Sequence, residues 1–239
     1  MNVLEVKGLC KSYPAFQLQD VSFCVRKGTV MGLIGRNGAG KTTIMKSILN
    51  IVRADRGQVT CFGLDLCQRE AEIKQRMGYA TSAAEYFKKK RICDILAVTK
   101  RFYANWDDEL CRKYLQLFQV DVNKTPSQLS QGMKVKLNLV LALSHGAELL
   151  ILDEPTSGLD PISREELLEI FRLLRSRGVS LLFSTHINSD LEKCADDITY
   201  IKEGRVVYSG GLQTFAPNGT LETVMMQHEK EAFREKLAL

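Results

Sequence analysis

A glycine-rich loop carries the strongest chemical signal in this sequence. Residues 35–42 read Gly-Arg-Asn-Gly-Ala-Gly-Lys-Thr and match the pattern G-x-x-x-x-G-K-[ST] in full. In such a loop backbone N–H groups point inward around phosphates, and the following helix adds the positive end of its dipole. We expect Lys41 to reach the β- and γ-phosphates of ATP, and the Thr42 hydroxyl to bind Mg²⁺. The residues predicted to contact ATP in this loop are Gly35, Arg36, Asn37, Gly38, Ala39, Gly40, Lys41, Thr42 and Thr43.

Three further side chains stand at the ends of apolar runs. Asp153 and Glu154 follow Leu149-Leu150-Ile151-Leu152, and His186 follows the run that ends at Ser184-Thr185. Asp153 is predicted to hold Mg²⁺ through water, and Glu154 to orient or deprotonate the attacking water. His186 is predicted to contact the γ-phosphate or that water. The alternatives are a solvated acidic pair at a strand end and an ordinary surface histidine.

The elements that must position these groups follow an alternating order. Residues 29–34, 149–152 and 179–184 are continuous apolar runs, typical of strands buried on both faces. Residues 43–50 and 129–144 are predicted to be helices, and residues 70–125 to be rich in helix with no buried strand. Strands that alternate with helices indicate a parallel α/β core.

The ends of the chain add smaller elements. Phe23 and Val25 share one face of a strand in residues 3–34, which we predict to be antiparallel. Asp160 is a good N-cap, and the helix that starts there is predicted to stop at Gly178. Residues 198–208 are predicted to form a hairpin, and the tail from residue 221 to be helical.

Composition narrows the class of protein. The 239 residues carry a net charge of +5, a mild excess that does not indicate nucleic-acid binding. The seven cysteines include no C-x-x-C pair, so neither a disulfide framework nor a zinc site is predicted. The N-terminus does not resemble a signal peptide, and no apolar run approaches the roughly 20 residues of a membrane span.

Three more motifs point to a known family. Leu129-Ser130-Gln131-Gly132-Met133 resembles the ABC signature, Ser157-Gly158-Leu159-Asp160 resembles the ABC D-loop, and His186 resembles the switch histidine. With the glycine loop and Asp153-Glu154, five motifs occur in the family's order over roughly residues 3–215. The chain therefore resembles the nucleotide-binding subunit of an ABC transporter.

The resemblance implies a fold and a division of the chain. It implies a P-loop NTPase core, a mostly parallel sheet flanked by helices, with an N-terminal antiparallel β subdomain and an inserted α-helical subdomain. The expected parts of this single domain are 1–82 for the antiparallel strands and P-loop core, 83–143 for the helical signature subdomain, 144–215 for the rest of the core, and 216–239 for a helical tail.

The resemblance also implies partners. ATP would lie between the P-loop of one subunit and the signature of the other, in a homodimer or heterodimer that drives a separate membrane permease. Ser130, Gln131 and Gly132 would then act in trans, and the helix start at Ser130 is suited to an anion. Asp160 would act in the D-loop or only as an N-cap. The location implied is the cytoplasmic face of the cell membrane.

Other residues either match the family or depart from it. Tyr13 resembles the aromatic that stacks on adenine, with an ordinary edge tyrosine as the alternative. Ser82 stands where the family usually has a glutamine that contacts Mg²⁺ and couples to the membrane subunit, and the shorter serine would act through a water or be replaced by Glu85. We predict that ATPase activity survives but depends less on this loop. Gln131 and Met133 replace Gly and Gln in the signature, a pattern similar to bacterial ABC-2-type exporters. The basic run Lys88-Lys89-Lys90-Arg91 is interpreted as a solvated turn or, alternatively, a contact with a membrane partner or anionic headgroups.

Two other classes of protein compete with a transport ATPase. Soluble ABC ATPases that act on nucleic acid or ribosomes usually carry two cassettes or long coiled coils, and this chain has one cassette without sustained heptads. A regulatory module that closes without turnover would not need Glu154 and His186. A GTPase is disfavoured because the sequence lacks N-K-x-D.

Overall fold

The computed structural model describes residues 1–81, 89–217 and 219–237, without the side chains of residues 229 and 231–237. Ser82 and Lys88 lie outside the described residues. The described strands are β1 (Asn2–Tyr13), β2 (Phe16–Arg26), β3 (Val30–Ile34), β4 (Arg56–Cys61), β5 (Leu64–Asp65), β6 (Met77–Thr81), β7 (Leu149–Asp153), β8 (Ser180–Thr185), β9 (Asp197–Lys202) and β10 (Arg205–Gly211). The described helices are α1 (Lys41–Ile48), α2 (Glu70–Arg76), α3 (Ile92–Thr99), α4 (Asp108–Leu117), α5 (Gln131–Leu143), α6 (Pro161–Ser176), α7 (Asn188–Cys194), α8 (Leu212–Phe215) and α9 (Leu221–Leu237), with 3₁₀ turns at Lys100–Phe102 and Pro126–Gln128.

The strands form two sheets. The first has the order β2-β1-β4-β5 and is antiparallel throughout. Phe23 and Val25 are buried on one face of β2, while Ser22 on the other face is exposed, so the predicted alternation is confirmed. The second sheet has the order β10-β9-β3-β8-β7-β6, in which only β10 pairs antiparallel. Together the sheets confirm the predicted fold class.

Strand β3 explains why its residues are apolar without alternation. Met31 and Leu33 pack into the cluster shared with α1 and the antiparallel sheet. Val30 and Ile34 point to the opposite face, into the cluster formed with α5 and α6. Both faces of the strand are therefore covered, and the runs predicted as doubly buried strands at β3, β7 and β8 are confirmed.

The prediction of no buried strand in residues 70–125 was wrong. Strand β6 lies at Met77–Thr81 and pairs in parallel with β7. Its small residues Gly78 and Ala80 weaken the apolar pattern, and the reason for the glycine lies in packing. A Cβ at Gly78 would fall 2.5 Å from the Cβ of Ala142, so α5 sits directly against the strand. A larger residue would give a clearer strand signal but would displace the helix.

The predicted helix boundaries around α6 are confirmed. Asp160 caps the helix, since its Oδ1 accepts hydrogen bonds at 3.0 Å from the backbone N–H groups of Ile162 and Ser163. Gly178 has a φ of +83° just beyond the helix end. The hairpin turns at Glu203-Gly204 as expected, and α9 begins at Leu221. None of the helices in the described ranges is long and apolar enough to cross a membrane.

Candidate nucleotide-binding site

A cleft of about 520 Å³ opens at the carboxyl ends of the parallel strands. Ligands bind at this edge in open α/β sheets. The cleft brings together four segments that are distant in sequence: the start of β2, the loop after β3, the residues after β7 and the residue after β8. Its lining residues are Phe16, Arg36, Asn37, Gly38, Gly40, Lys41, Thr42, Thr43, Glu154, Ser157 and His186.

The glycine loop can follow its path only because two positions lack a side chain. Gly40 has a φ of +114°, and a Cβ there would lie 2.8 Å from Cζ of Phe16. A Cβ at Gly35 would lie 2.3 Å from the carbonyl oxygen of Ile201. Helix α1 then begins at Lys41, so its free N–H groups and dipole end face the cleft.

Lys41 is held at the floor of the cleft with 6% of its surface exposed. Its Nζ donates a hydrogen bond of 2.7 Å to the carbonyl oxygen of Gly35, and it lies 3.8 Å from Oε1 of Glu154. Desolvation lowers the pKa of Lys41, while the negative charges of Glu154 and Asp153 oppose that shift. A buried cation whose hydrogen bonds go to neutral carbonyl oxygens, those of Gly35 and Arg36, is suited to bind an anionic ligand.

Ser184 connects the two acidic residues. Its hydroxyl donates a hydrogen bond of 2.6 Å to Oδ1 of Asp153 and accepts one of 3.0 Å from the backbone N–H of Glu154. The side chain is fully buried. Residues Asp153 and Ser184 are also partners in the parallel register of β7 and β8. Sequence reasoning read Ser184 as the end of a strand and missed this role.

Glu154 and His186 form a pair above Lys41. Nδ1 of His186 lies 2.8 Å from Oε2 of Glu154. Glu154 has a φ of +49°, which is uncommon for a residue with a side chain. Such backbone persists only where neighbours fix it, and here the Ser184 hydroxyl fixes the Glu154 N–H. The two predicted catalytic residues therefore lie together and face the same cleft.

The signature residues and Asp160 of the D-loop lie apart from this cleft. Ser130 is exposed and caps α5, with its Oγ accepting a hydrogen bond of 3.3 Å from the N–H of Met133. The backbone of Gly132 packs beside Leu159 and Ser163, so signature and D-loop form one surface. Gln131, Gly132 and Asp160 likewise are not among the residues that line the cleft.

An aromatic pair flanks the loop. Tyr13 is 40% exposed and lines a neighbouring cavity of about 530 Å³ together with Phe16 and Gly38. Phe16 lines both that cavity and the cleft. The sequence analysis named Tyr13 and missed Phe16, although both belong to the tip of the β1–β2 hairpin. Ser157, which also lines the cleft, appeared only as part of the D-loop motif.

The residues present fit a magnesium ion. Thr42 offers a hydroxyl in the cleft, and Asp153 keeps Oδ2 free of the Ser184 hydrogen bond. Mg²⁺ prefers oxygen ligands and retains several waters, so one or two protein oxygens plus substrate phosphates suffice. Among the described residues no cluster of three or more His, Cys, Asp or Glu side chains offers an all-protein metal cage.

Comparison with known proteins identifies the family. A sequence profile described as ABC transporter matches residues 18–157. The lantibiotic transport ATP-binding protein SrtF of Streptococcus pyogenes is 33% identical over 207 residues, covering 86% of this chain and 89% of that protein. The bacitracin transport ATP-binding protein BcrA of Bacillus licheniformis is 30% identical over 209 residues, covering 86% of this chain and 68% of that protein.

The fold agrees with that relationship. A solved ATP-binding subunit of an ABC transporter superposes with a TM-score of 0.85 and 28% identity, covering 94% of this chain and 98% of that structure. The profile match includes the glycine loop, the signature and Asp153-Glu154. The chain belongs to the ABC transporter family, as an ATP-binding and ATP-hydrolysing cassette.

Proposed function

We propose that this chain closes head to tail with a second ATP-binding subunit around two Mg²⁺-ATP and thereby drives a separate membrane permease. One observation carries the proposal. Lys41, Glu154 and His186 meet at one cleft, whereas the anion-binding helix start at Ser130 lies outside it and is exposed. A phosphate bound in the cleft needs further donors on its open side, and the signature of another subunit supplies them.

The surface around the signature is suited to being covered. Ile162, at the start of α6, is 74% exposed beside the D-loop residue Asp160. A large apolar side chain with so much exposed area gains free energy when a partner buries it. Ser130 and Gly132 are the groups of the signature that would contact the γ-phosphate, with Gln131 between them.

The roles in hydrolysis follow from the geometry of the cleft. Lys41 exchanges its bond to the Gly35 carbonyl for the β- and γ-phosphate oxygens. Glu154 accepts a proton from the water that attacks the γ-phosphorus, the bond to the β–γ bridging oxygen breaks, and ADP and phosphate leave. His186 holds the Glu154 carboxylate in place. Thr42 and Asp153 would bind Mg²⁺, which supplies charge neutralisation at the phosphates.

The adenine ring of ATP is proposed to stack on an aromatic side chain at the tip of the β1–β2 hairpin. Tyr13 is the stacking residue indicated by the family resemblance, and Phe16 is the aromatic that reaches the cleft. Thr43 completes the loop on the α-phosphate side. Alanine substitution at Tyr13 and at Phe16, one at a time, shows which ring stacks on adenine. Loss of the stacking ring should raise KM for ATP while kcat is retained.

The permease and the direction of transport rest on the relatives. Two relatives are named for bacitracin and lantibiotic transport, which supports an exporter at the cytoplasmic face of the membrane. Nucleic acid is not proposed as a partner.

At the position of the usual glutamine, Ser82→Ala is expected to retain ATPase turnover. Loss of turnover would contradict the reduced dependence of ATP hydrolysis that is proposed for this loop.

The test uses a variant that binds ATP but does not cleave it. Glu154→Gln removes the base, so we expect an ATP- and Mg²⁺-dependent dimer with little hydrolysis, measured by size-exclusion chromatography with light scattering. Adding Ser130→Arg should keep the protein monomeric, because it blocks the surface that meets the partner. Asn123→Arg, in an exposed loop, is the matched control and should dimerise. A Glu154→Gln protein that stays monomeric at saturating ATP contradicts the proposal.

A further inference from the structure

Helix α5 carries a buried polar residue that the site described above does not use. Asn138 lies two helical turns after Ser130 and is 1% exposed. Its neighbours in the helix, Leu137 and Leu139, are apolar and buried. An asparagine in such a position must satisfy its amide inside the protein.

Among the described residues, only half of that amide has a hydrogen-bond partner. Nδ2 of Asn138 donates a hydrogen bond of 3.1 Å to the carbonyl oxygen of Thr81. Its Oδ1 is buried and meets no donor in the part of the chain that the structure describes. A buried acceptor without a partner costs free energy, whereas an apolar side chain in the same space would not incur that cost.

The helix also meets the sheet through an apolar contact beside this hydrogen bond. One turn along the same face, Ala142 packs against Gly78 so closely that no side chain fits between them. Apolar packing already fixes α5 against β6. The asparagine adds a directional hydrogen bond to that apolar contact.

The Asn138 hydrogen bond joins two elements of the proposed machinery, β6 and α5. Thr81 is the last described residue of β6 and pairs in register with Asp153 of β7. The other end of α5 begins at the exposed cap Ser130. The Asn138 hydrogen bond thus joins the helix that presents the signature to the strand end beside the carboxylate of the nucleotide cleft.

We propose that Asn138 is a positioning residue that couples the signature surface of a subunit to its own nucleotide cleft. The inference rests on the proposed dimer, in which that surface contacts the ATP of the partner. When ATP occupies one cleft, it holds the end of β6 in place. The Asn138 hydrogen bond then holds α5, and with it the signature, in position against the ATP of the partner subunit. The fixed geometry raises turnover and makes the two sites cooperative.

The test separates activity from stability. In the full chain, Asn138→Leu and Asn138→Ala are compared with the wild type by thermal unfolding and by ATPase rate against ATP concentration. We expect Asn138→Leu to keep the wild-type Tm or raise it, while kcat falls about five- to tenfold, within the range of site-to-site coupling. KM for ATP should change less than about twofold. The Hill coefficient, expected to lie between about 1 and 2 for the wild-type dimer with its two sites, should fall to about 1 in the variants. Asn138→Ala removes the same amide without adding bulk. It should therefore show the same loss of kcat, which separates loss of the hydrogen bond from any disturbance of packing by leucine.

A matched control lies at the C-terminal end of the same helix. Ser144, the residue that caps α5, is fully buried, and its Oγ donates a hydrogen bond to the Val140 carbonyl and contacts Cys111. Ser144→Ala should leave kcat and the Hill coefficient unchanged. Wild-type kcat and cooperativity in both Asn138 variants would overturn the inference, as would a fall in Tm without a change in kcat. If instead Glu154→Gln forms no dimer with ATP, the proposed function fails independently of any result at Asn138.

Discussion

Replacing Ser184 by alanine tests the geometry of the catalytic cleft most directly. The hydroxyl is fully buried and makes two hydrogen bonds, one to the carboxylate of Asp153 and one from the N–H of Glu154. Alanine removes both bonds and fills nearly the same volume. The Glu154 backbone, at a φ of +49°, then loses the partner that holds it.

The size of the effect follows from the two bonds. A hydrogen bond to a charged group is worth about 1.5–3 kcal/mol, and an N–H left without a partner adds about 1 kcal/mol. The expected loss of unfolding free energy is therefore about 2–4 kcal/mol. At about 2–4 °C per kcal/mol for a domain of this size, Tm should fall by about 4–16 °C. Because a misplaced catalytic group can cost up to about 100-fold in rate, kcat should fall about 10- to 100-fold.

The assay pairs this variant with Ser180→Ala. Ser180 lies on the same strand, is also fully buried, and accepts a hydrogen bond of 2.8 Å from the N–H of Gly28, away from the cleft. Loss of this bond should lower the unfolding free energy by about 1–3 kcal/mol, and Tm with it, without lowering kcat. ATPase rates are measured well below both melting transitions. If Ser184→Ala retains wild-type kcat, or if Ser180→Ala loses it equally, the positioning role of Ser184 is refuted.

Three further predictions concern reactivity, packing and pH. Burial raises the pKa of Cys61 to about 12, so iodoacetamide at pH 8 should modify the exposed Cys67 and spare Cys61 in the folded chain; mass spectrometry showing equal labelling would contradict the burial. Gly78→Ala should lower the unfolding free energy by about 1–3 kcal/mol, since the new Cβ would meet α5 at 2.5 Å, and an unchanged melting curve would contradict that contact. The hydrogen bond from Arg76 holds the pKa of Glu148 below its usual value, so the ionised carboxylate stabilises the fold above that usual value and the benefit is lost as pH falls through the lowered pKa. Glu148→Gln should therefore cost about 0.2–1 kcal/mol at pH 7 and nearly nothing once Glu148 is protonated, as denaturant titrations at several pH values would reveal.

The sequence predicted the groups that lie next to one another along the chain. The loop before Lys41 needs glycine at Gly38 and Gly40 because its backbone has a positive φ there, and Asp160 caps a helix through neighbouring N–H groups. Continuous apolar runs indicated strands because both faces of the sheet are covered. Strand β6 escaped this reasoning, since its glycine reflects contact with a helix more than sixty residues later in the sequence.

The tertiary structure decided which of these groups lie close together in space. Placing β8 between β3 and β7 sets His186 against Glu154 and lets Ser184 reach Asp153, and no local pattern contains that strand order. The same folding turns the Ser130 helix start away from the cleft that its own subunit builds. Sequence by itself determined which chemical groups this protein has for binding ATP, because phosphate-binding loops and caps are local. The tertiary structure decided which of them share a site, because strand order and helix packing depend on residues far apart in the chain.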